Sequence, residues 1–381
     1  MDAMLPVLSP SGPSLAEVMP AGLAALDGDE NPLGLPALRS LIVVLVDGLG
    51  ASLVARHSGH LRFLASRIHG STIDAVFPST TAAGISSLCT GLRPGRHGMV
   101  GYRVLDPDND RVVNQLRDWD ALMTPEAWQT QRTVFEKAAA RGIPVAAVGQ
   151  SRYRRSGFTR AVLRGARYLG AERLEDRFDA AARFVAEHDR SLVYLYVHEL
   201  DVAGHAHGCD SLAWCTAAED VDAALAGLER RGGAGDAVLV TADHGMLDVP
   251  PARHVLFDQG PSALLAGVRH VAGEPRCLQL HLEHGSGPAA AERVAEAWRE
   301  VEGEAAWVAT RGQAAEAGWF GPEVTDQAAA RLGDVFVAAR DRIAFYDSRT
   351  ASARSRAMVG QHGSLTDEEM TVPLVRLGAA A

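Results

Sequence analysis

Short apolar runs rich in β-branched residues alternate with helical patterns through the first 250 residues. The run SLIVVLVDG (40–48) is apolar from Leu41 to Val46 and then ends in Asp-Gly, as expected of a strand buried on both faces. Further strand-like runs lie at 71–79, 143–151, 191–199 and 236–245. Helical patterns lie at 80–91, 132–142, 171–189 and 211–232. The alternation predicts an α/β fold with a mostly parallel central sheet and helices on both faces.

The segment 251–352 has a different pattern. Strand-like runs at 277–282, 305–310 and 334–347 surround one helical run at 289–303, which predicts a small α+β insertion with a cap-like position. The core is therefore predicted to comprise residues 1–250 and 353–381. We expect the strand-like 371–377 to rejoin the main sheet, and residues 1–38, rich in Pro, Gly and Ala, to wrap the surface.

Composition excludes several classes of partner. The 381 residues carry a net charge of −10, which argues against a basic face for a nucleic-acid polymer but not against a small phosphorylated substrate, because bound cations invert a local field. The four cysteines form no CxxC pair, and the first residues lack the basic and apolar regions of a signal peptide. We expect a cytoplasmic protein with no membrane partner. The oligomeric state is not indicated.

Polar clusters follow the predicted strands at the edge where open α/β sheets form their sites. Each cluster alone has an ordinary interpretation: Asp-Gly forms turns, an Asp-His pair four apart occurs on surfaces, and glycines beside a histidine mark loops. Asp-His directly after a strand is the more specific signal, because folding rarely needs both. The candidates are Asp47, Asp201 with His205, Asp243 with His244, and His362 in the loop Gly360-Gln361-His362-Gly363.

Taken together, three aspartates and three histidines at strand ends match what two divalent cations require. Zinc accepts imidazole nitrogen and carboxylate oxygen, and the absence of cysteine from the set argues against a structural zinc knot. Manganese accepts the same donors. Two such ions can hold both the attacking and the leaving oxygen of a phosphoryl group.

A hydroxyl for nucleophilic attack is available in FPSTTAAG (77–84). It follows a strand and begins a helix, where amide N–H groups and the helix dipole favour an oxyanion. The alternative is that Thr80 or Thr81 only caps the helix. A threonine alcohol needs activation, which direct metal coordination would provide.

These motifs, in this order, resemble the alkaline phosphatase superfamily, and within it the nucleotide pyrophosphatase/phosphodiesterase branch. The resemblance covers about residues 40 to 375 and rests on LIVVLVDGLG (41–50), FPSTTAAGISSLCTGLRPGRHGMVGY (77–102), LDVAGHAHG (200–208), VLVTADHGM (238–246) and GQHG (360–363).

The resemblance implies specific roles. One ion would be held by Asp47, Thr81, Asp243 and His244, and the other by Asp201, His205 and His362. Thr81 would attack phosphorus and form a covalent intermediate, which water would release.

One position departs from the branch, which has an asparagine three residues after the nucleophile where this chain has Gly84. We expect the Gly84 N–H, Tyr102 or an arginine of 151–160 to contact the phosphate instead; the arginine run is also typical of a solvated face. His198 and His207, which flank the Asp201–His205 pair, are further candidates for substrate contact.

The sequence therefore predicts a two-metal hydrolase of phosphodiester or nucleotide pyrophosphate bonds. A phosphomonoesterase or phosphonate hydrolase on the same core is the first alternative. A metal-binding or interaction protein that has lost catalysis is the second.

Overall fold

A computed structural model describes residues 4–8, 13–68 and 71–381. The strands are β1 (Ser40–Val46), β2 (Thr72–Asp74), β3 (Arg103–Asp106), β4 (Arg111–Asn114), β5 (Val145–Gly149), β6 (Arg167–Gly170), β7 (Ser191–Val197), β8 (Asp236–Thr241), β9 (Leu247–Asp248), β10 (His254–Leu256), β11 (Val268–Glu274), β12 (Cys277–Leu282), β13 (Ala306–Thr310), β14 (Val335–Ala339), β15 (Ala344–Tyr346), β16 (Gly360–Gln361), β17 (Thr371–Pro373) and β18 (Val375–Gly378). The helices are α1 (Leu15–Asp27), α2 (Ala51–Arg56), α3 (Arg62–Arg67), α4 (Thr81–Thr90), α5 (Pro94–His97), α6 (Pro125–Trp128), α7 (Val134–Ala140), α8 (Gly157–Val162), α9 (Leu174–Ala186), α10 (Glu199–His207), α11 (Leu212–Glu229), α12 (Pro288–Glu302), α13 (Arg311–Glu316), α14 (Asp326–Arg331), α15 (Ala353–Arg356) and α16 (Asp367–Met370).

The main sheet has six strands in the order β18-β8-β1-β7-β5-β6. Strand β1 pairs in parallel with both β7 and β8, and all seven of its residues are buried. Such complete burial explains its unbroken apolar sequence, because helices cover both faces of a parallel sheet. The antiparallel β18 completes the edge beside β8, so the C-terminal run rejoins the sheet as expected. The α/β fold with a mostly parallel sheet is confirmed.

The expectation for residues 1–38 was wrong over the residues the structure describes. The capping box of Ser14 and Glu17 starts the buried helix α1, which ends at Gly28 in a left-handed conformation. It packs against α4 and buries Leu15, Val18 and Met19. Pro20 in its second turn, together with the Ala- and Gly-rich sequence, concealed an amphipathic pattern. Residues 1–3 and 9–12 lie outside the described part of the chain.

The predicted strand at 71–79 is shorter and lies outside the main sheet. Only Thr72–Asp74 forms a strand, and it pairs with β17. Both sides of β1 are already occupied by β7 and β8, and Pro78 has no N–H to donate to a ladder. The segment instead leads into α4, where Thr80 is the N-cap and Gly91 the left-handed C-cap.

The region 251–352 contains an antiparallel four-stranded sheet in the order β11-β12-β14-β13. Helix α12 packs on it through Val294 and Trp298. The predicted strand at 334–347 is two strands, β14 and β15, separated by a turn. One hydrophobic cluster joins this region to the core, since Phe77 packs edge-on against Trp319 at 4.9 Å. The boundaries of the insertion as a domain stay a prediction.

A buried ion pair also connects the two regions. Arg276, between β11 and β12, contacts Glu369 of α16 at 2.7 Å, and neither side chain is exposed. Glu369 additionally accepts hydrogen bonds from the Ser364 N–H at 3.0 Å and the Thr366 hydroxyl at 2.6 Å. The network therefore holds the segment that follows His362 against the four-stranded sheet.

Candidate active site

The candidate residues gather at the carboxyl ends of three neighbouring strands. Asp47 follows β1, and Asp243 lies two residues after β8. Asp201 lies in α10, which begins shortly after β7. Because β8, β1 and β7 are adjacent and parallel, their polar ends meet at one edge of the sheet.

A first cluster comprises Asp47, Asp243 and His244. The His244 Nε2 atom lies 3.4 Å from Asp47 Oδ1 and 3.6 Å from Asp243 Oδ2. No more than 1% of any of these three side chains is exposed. Their candidate ligand atoms all lie within 4.8 Å of one another, a spacing that one cation can bridge.

A second cluster comprises Asp201, His205 and His362. Asp201 Oδ1 lies 3.2 Å from His205 Nε2 and 3.8 Å from His362 Nε2, and the two imidazole nitrogens are 3.3 Å apart. The His362 ring stacks on His244 with centroids 3.6 Å apart, so the clusters touch. The ligand atoms of Asp201, His244 and His362 also fall within 4.8 Å, which makes His244 available to either cluster.

Main-chain carbonyls orient all three imidazoles. An Nδ1–H that donates to a carbonyl fixes the tautomer and leaves the Nε2 lone pair free for a cation. The acceptors are Gly360 O for His205 at 2.7 Å, Ser79 O for His362 at 2.8 Å, and Gly245 O for His244 at 3.1 Å.

Each aspartate leaves one buried carboxylate oxygen without a hydrogen-bond partner: Oδ1 of Asp47, Oδ1 of Asp201 and Oδ2 of Asp243. Such atoms are costly unless something neutralises them. Burial raises the pKa of Asp47 and Asp243, and the neighbouring carboxylates raise that of Asp47 further. Burial also opposes ionisation of Asp201, but the imidazoles of His205, His362 and His244 together outweigh it and lower its pKa. Unpartnered carboxylates and free Nε2 atoms are the donor set that divalent cations fit.

The two threonines of the 77–84 motif differ in their contacts. The Thr80 hydroxyl accepts the Ala83 N–H at 3.4 Å and caps α4. The Thr81 hydroxyl instead lies 3.2 Å from His244 Nε2 and lines a cavity. Of the two threonines, Thr81 is thus the one whose hydroxyl faces the first cluster.

The Gly84 N–H, which was predicted to contact phosphate, already has a partner within the helix. It donates to Thr80 O at 2.8 Å. A Cβ atom at this position would lie 2.6 Å from Asp243 Cβ and 2.8 Å from Asp243 O. Helix α4 therefore packs directly on the turn that carries Asp243, and this close approach requires glycine.

The other residues predicted to contact substrate lie in different places. His198 lines the cavity that contains Thr81, as does Arg152 of the 151–160 run. Tyr102 lines a different cavity, beside Glu274 and Tyr346. His207 is exposed at the end of α10.

The cavity in front of Thr81 has a volume of about 570 Å³. Sequence reasoning missed much of its wall, which includes Tyr153, Phe158, Tyr168, Tyr194, Tyr196, Arg117 and Arg354. The Tyr196 hydroxyl donates to Asp47 Oδ2 at 2.5 Å. The signal was present in LVYLYVHE, because Tyr194, Tyr196 and His198 alternate along one strand face that leads to the site.

Within the described residues, we find no helix with the length and hydrophobicity needed to cross a bilayer.

Comparisons with known proteins identify the family and the fold of this chain. A family model described as type I phosphodiesterase / nucleotide pyrophosphatase matches residues 41–365. Among curated proteins, none matches the sequence. Murine ectonucleotide pyrophosphatase / phosphodiesterase 5, solved as an inactive variant in complex with AMP, is similar with a TM-score of 0.69 at 16% identity, over 89% of this chain and 88% of that one. The human counterpart gives 0.67 at 16% identity, over 89% and 87%.

Proposed function

This chain belongs to the type I phosphodiesterase / nucleotide pyrophosphatase family of the alkaline phosphatase superfamily and is a hydrolase of phosphodiester or pyrophosphate bonds, and on that premise we propose that it works through a covalent Thr81 intermediate on nucleotide-like esters. The observation that carries the proposal is the convergence of six candidate cation ligands beside one threonine hydroxyl.

The family implies a two-metal site. Asp47, Thr81, Asp243 and His244 would hold one cation, and Asp201, His205 and His362 the other. The mixture of imidazole and carboxylate donors suits zinc, with manganese as the alternative. When bound, the two cations supply positive charge that lowers the pKa of an alcohol and neutralises phosphate oxygens.

The protein's own groups then carry the reaction. The Thr81 oxygen forms a bond to phosphorus while the bond from phosphorus to the leaving oxygen breaks. Thr81 lies in the first turn of α4, where amide N–H groups without intrahelical partners favour the charge of a phosphoryl group. Attack by water on the same phosphorus then releases the threonine.

The aromatic cavity favours an ester with a bulky organic substituent over inorganic or small monoester substrates. Four tyrosines line the space beside Thr81, and tyrosine faces accept planar groups such as nucleobases. The murine relative was solved with AMP, which agrees with a nucleotide substrate for this chain.

Thr81→Ala tests the nucleophile. The variant should lose about 10³-fold or more of its turnover of nitrophenyl thymidine 5′-phosphate, because the change removes the threonine oxygen that would attack phosphorus. Thr80→Ala is the matched control, since it removes a neighbouring hydroxyl that caps the helix and should cost about 1 kcal/mol of stability rather than turnover.

Elemental analysis should find close to two equivalents of metal in both variants. Retention of most activity in Thr81→Ala would exclude the covalent threonine route. Faster turnover of nitrophenyl phosphate than of bis-nitrophenyl phosphate would favour the monoesterase alternative, and full metal content without turnover of any ester would favour the inactive one.

A further inference from the structure

Three separate segments each direct an arginine to the cavity that contains Thr81. Arg117 follows β4, Arg152 follows β5, and Arg354 lies in α15. In the described part of the chain, no carboxylate lies within 4.0 Å of any of these three guanidinium groups. The Arg152 guanidinium lies over the Tyr153 ring at 4.8 Å. The protein as a whole is acidic, so this concentration of positive charge is local.

Among the described residues that line this wall, the carboxylates are Asp47 and Asp201, both of which belong to the candidate metal clusters. Nearby Glu199 is already paired with Arg177, a fully buried side chain. Over the described residues, the cavity wall therefore combines three arginines that have no carboxylate partner with two carboxylates of the candidate metal clusters.

An independent observation indicates an occupant. Tyr194 is 2% exposed, lines this cavity, and its hydroxyl has no hydrogen-bond partner. A buried hydroxyl is almost always hydrogen-bonded in a folded protein, so a partner from outside the chain is expected. The hydroxyls of Tyr196 and Tyr168 are committed to Asp47 and to Gln150 O, whereas the buried Tyr194 hydroxyl still has a proton to donate.

We propose that this cavity binds a phosphodiester substituent that carries a second phosphate group, with Arg117, Arg152 and Arg354 binding that phosphate and the Tyr194 hydroxyl donating to the substituent. The inference rests on the proposed function for the position of the reacting phosphorus. Guanidinium groups suit phosphate because their planar donors can bind two oxygens at once, and the tyrosines provide a surface for the connecting planar group.

Binding to the Thr81→Ala protein tests this without turnover. The probes are two pairs that differ by one phosphate: thymidine 5′-phosphate against thymidine 3′,5′-bisphosphate, and AMP against adenosine 2′,5′-bisphosphate. Calorimetry at about 0.15 M salt, with and without added zinc, gives the ratio of Kd values within each pair. We expect the bisphosphate to bind about tenfold or more tightly in at least one pair.

That ratio should fall stepwise in Arg117→Ala, Arg152→Ala and Arg354→Ala and approach one in the triple variant. Arg293→Ala is the matched control, because Arg293 is an exposed residue of α12 outside the cavity, and its removal changes net charge equally. Tyr194→Phe should weaken both members of a pair by about two- to tenfold while thermal stability is kept or raised, since the hydroxyl has no partner in the fold.

Equal binding within both pairs, a ratio that survives the triple variant, or a ratio that falls equally in Arg293→Ala would overturn the inference. Turnover of the nitrophenyl ester by the wild-type protein separates the two proposals. Turnover without a bisphosphate preference contradicts only the arginine site, and preference without turnover contradicts only the hydrolase mechanism.

Discussion

The two larger sheets of this protein use buried carboxylates in opposite ways. The six-stranded, mostly parallel sheet ends its central strands near Asp47 and Asp243, which face each other and the histidines. The antiparallel sheet of the 251–352 region ends β11 at Glu274, whose Oε1 atom is buried and also lacks a hydrogen-bond partner. A Cβ atom on Gly363 would lie 2.7 Å from that oxygen, so Glu274 packs on the loop that carries His362.

Strand direction explains the difference. Neighbouring parallel strands place their carboxyl ends at one edge, where three aspartates and a cation can meet. Neighbouring antiparallel strands place those ends at opposite edges. The carboxylate beside Glu274 is that of Glu369 in α16 and does not come from a neighbouring strand, and the second sheet supports the site by packing. The same chemical change, carboxylate to amide, should therefore have unequal effects in the two sheets.

Asp243→Asn should have the largest effect. It removes a charge from the first cluster while preserving shape, so we expect activity to fall by more than about 100-fold, the upper range for loss of a group that only supports a ligand. Metal content by elemental analysis should fall with it. Full metal occupancy and full activity would contradict the place of Asp243 in the cation site.

Arg276→Ala tests how strongly the second sheet supports the first. Removal of one partner from a buried pair leaves Glu369 uncompensated, which costs about 3–5 kcal/mol. Denaturant unfolding should show this loss. A loss below about 1 kcal/mol, the range of exposed pairs, would mean that the pair does not hold the two regions together.

Gly84→Ala tests the contact of α4 with the Asp243 turn. The added methyl must displace backbone, because it would lie 2.8 Å from Asp243 O, and overpacking of this kind costs about 1–3 kcal/mol. Activity should fall together with stability, since the displaced turn holds Asp243 and His244. Ser86→Ala, a change on the same helix that adds no atoms, is the control; unchanged Tm and activity in Gly84→Ala would argue against the close approach.

Glu274→Gln should have the smallest effect on activity and a measurable effect on pH dependence. Burial, and then the Glu369 carboxylate, raise the pKa of Glu274 well above its ordinary value. The folded state then binds the proton more tightly than the unfolded state, so the stability from Glu274 is present below the unfolded pKa of about 4.3 and is lost as pH rises through the raised native pKa.

Glu274→Gln should remove that dependence. The difference in unfolding free energy between wild type and variant should shift in favour of the variant as pH rises from about 4.3, measured by denaturant titration at matched metal content. A difference that does not vary with pH would show that Glu274 titrates normally.

Sequence reasoning predicted the parallel sheet and the candidate site residues at its edge. A buried strand that ends in Asp or Asp-His shows the apolar strand and its polar end in consecutive residues. Sequence reasoning could not predict the role of Gly84, since a glycine in a helix gives no indication of the strand turn that approaches it. It also missed α1, whose Pro20 hides an ordinary amphipathic pattern, and it missed Arg117 and Arg354, which reach the cavity from distant segments. The metal identity, the intermediate and the cytoplasmic location stay predictions.

The imidazoles of His205, His244 and His362 are oriented by peptide carbonyls, and every residue type supplies a carbonyl. A substitution at Ser79 that preserves the backbone would leave its carbonyl in place, whereas a Cβ atom on Gly245 or Gly360 would collide with the carbonyl oxygen of Glu368 or Gly204. Side chains of the cavity wall that take no part in these hydrogen bonds can therefore vary while the three imidazoles keep their orientation. This makes the scaffold a practical starting point for selecting hydrolases with altered substrates.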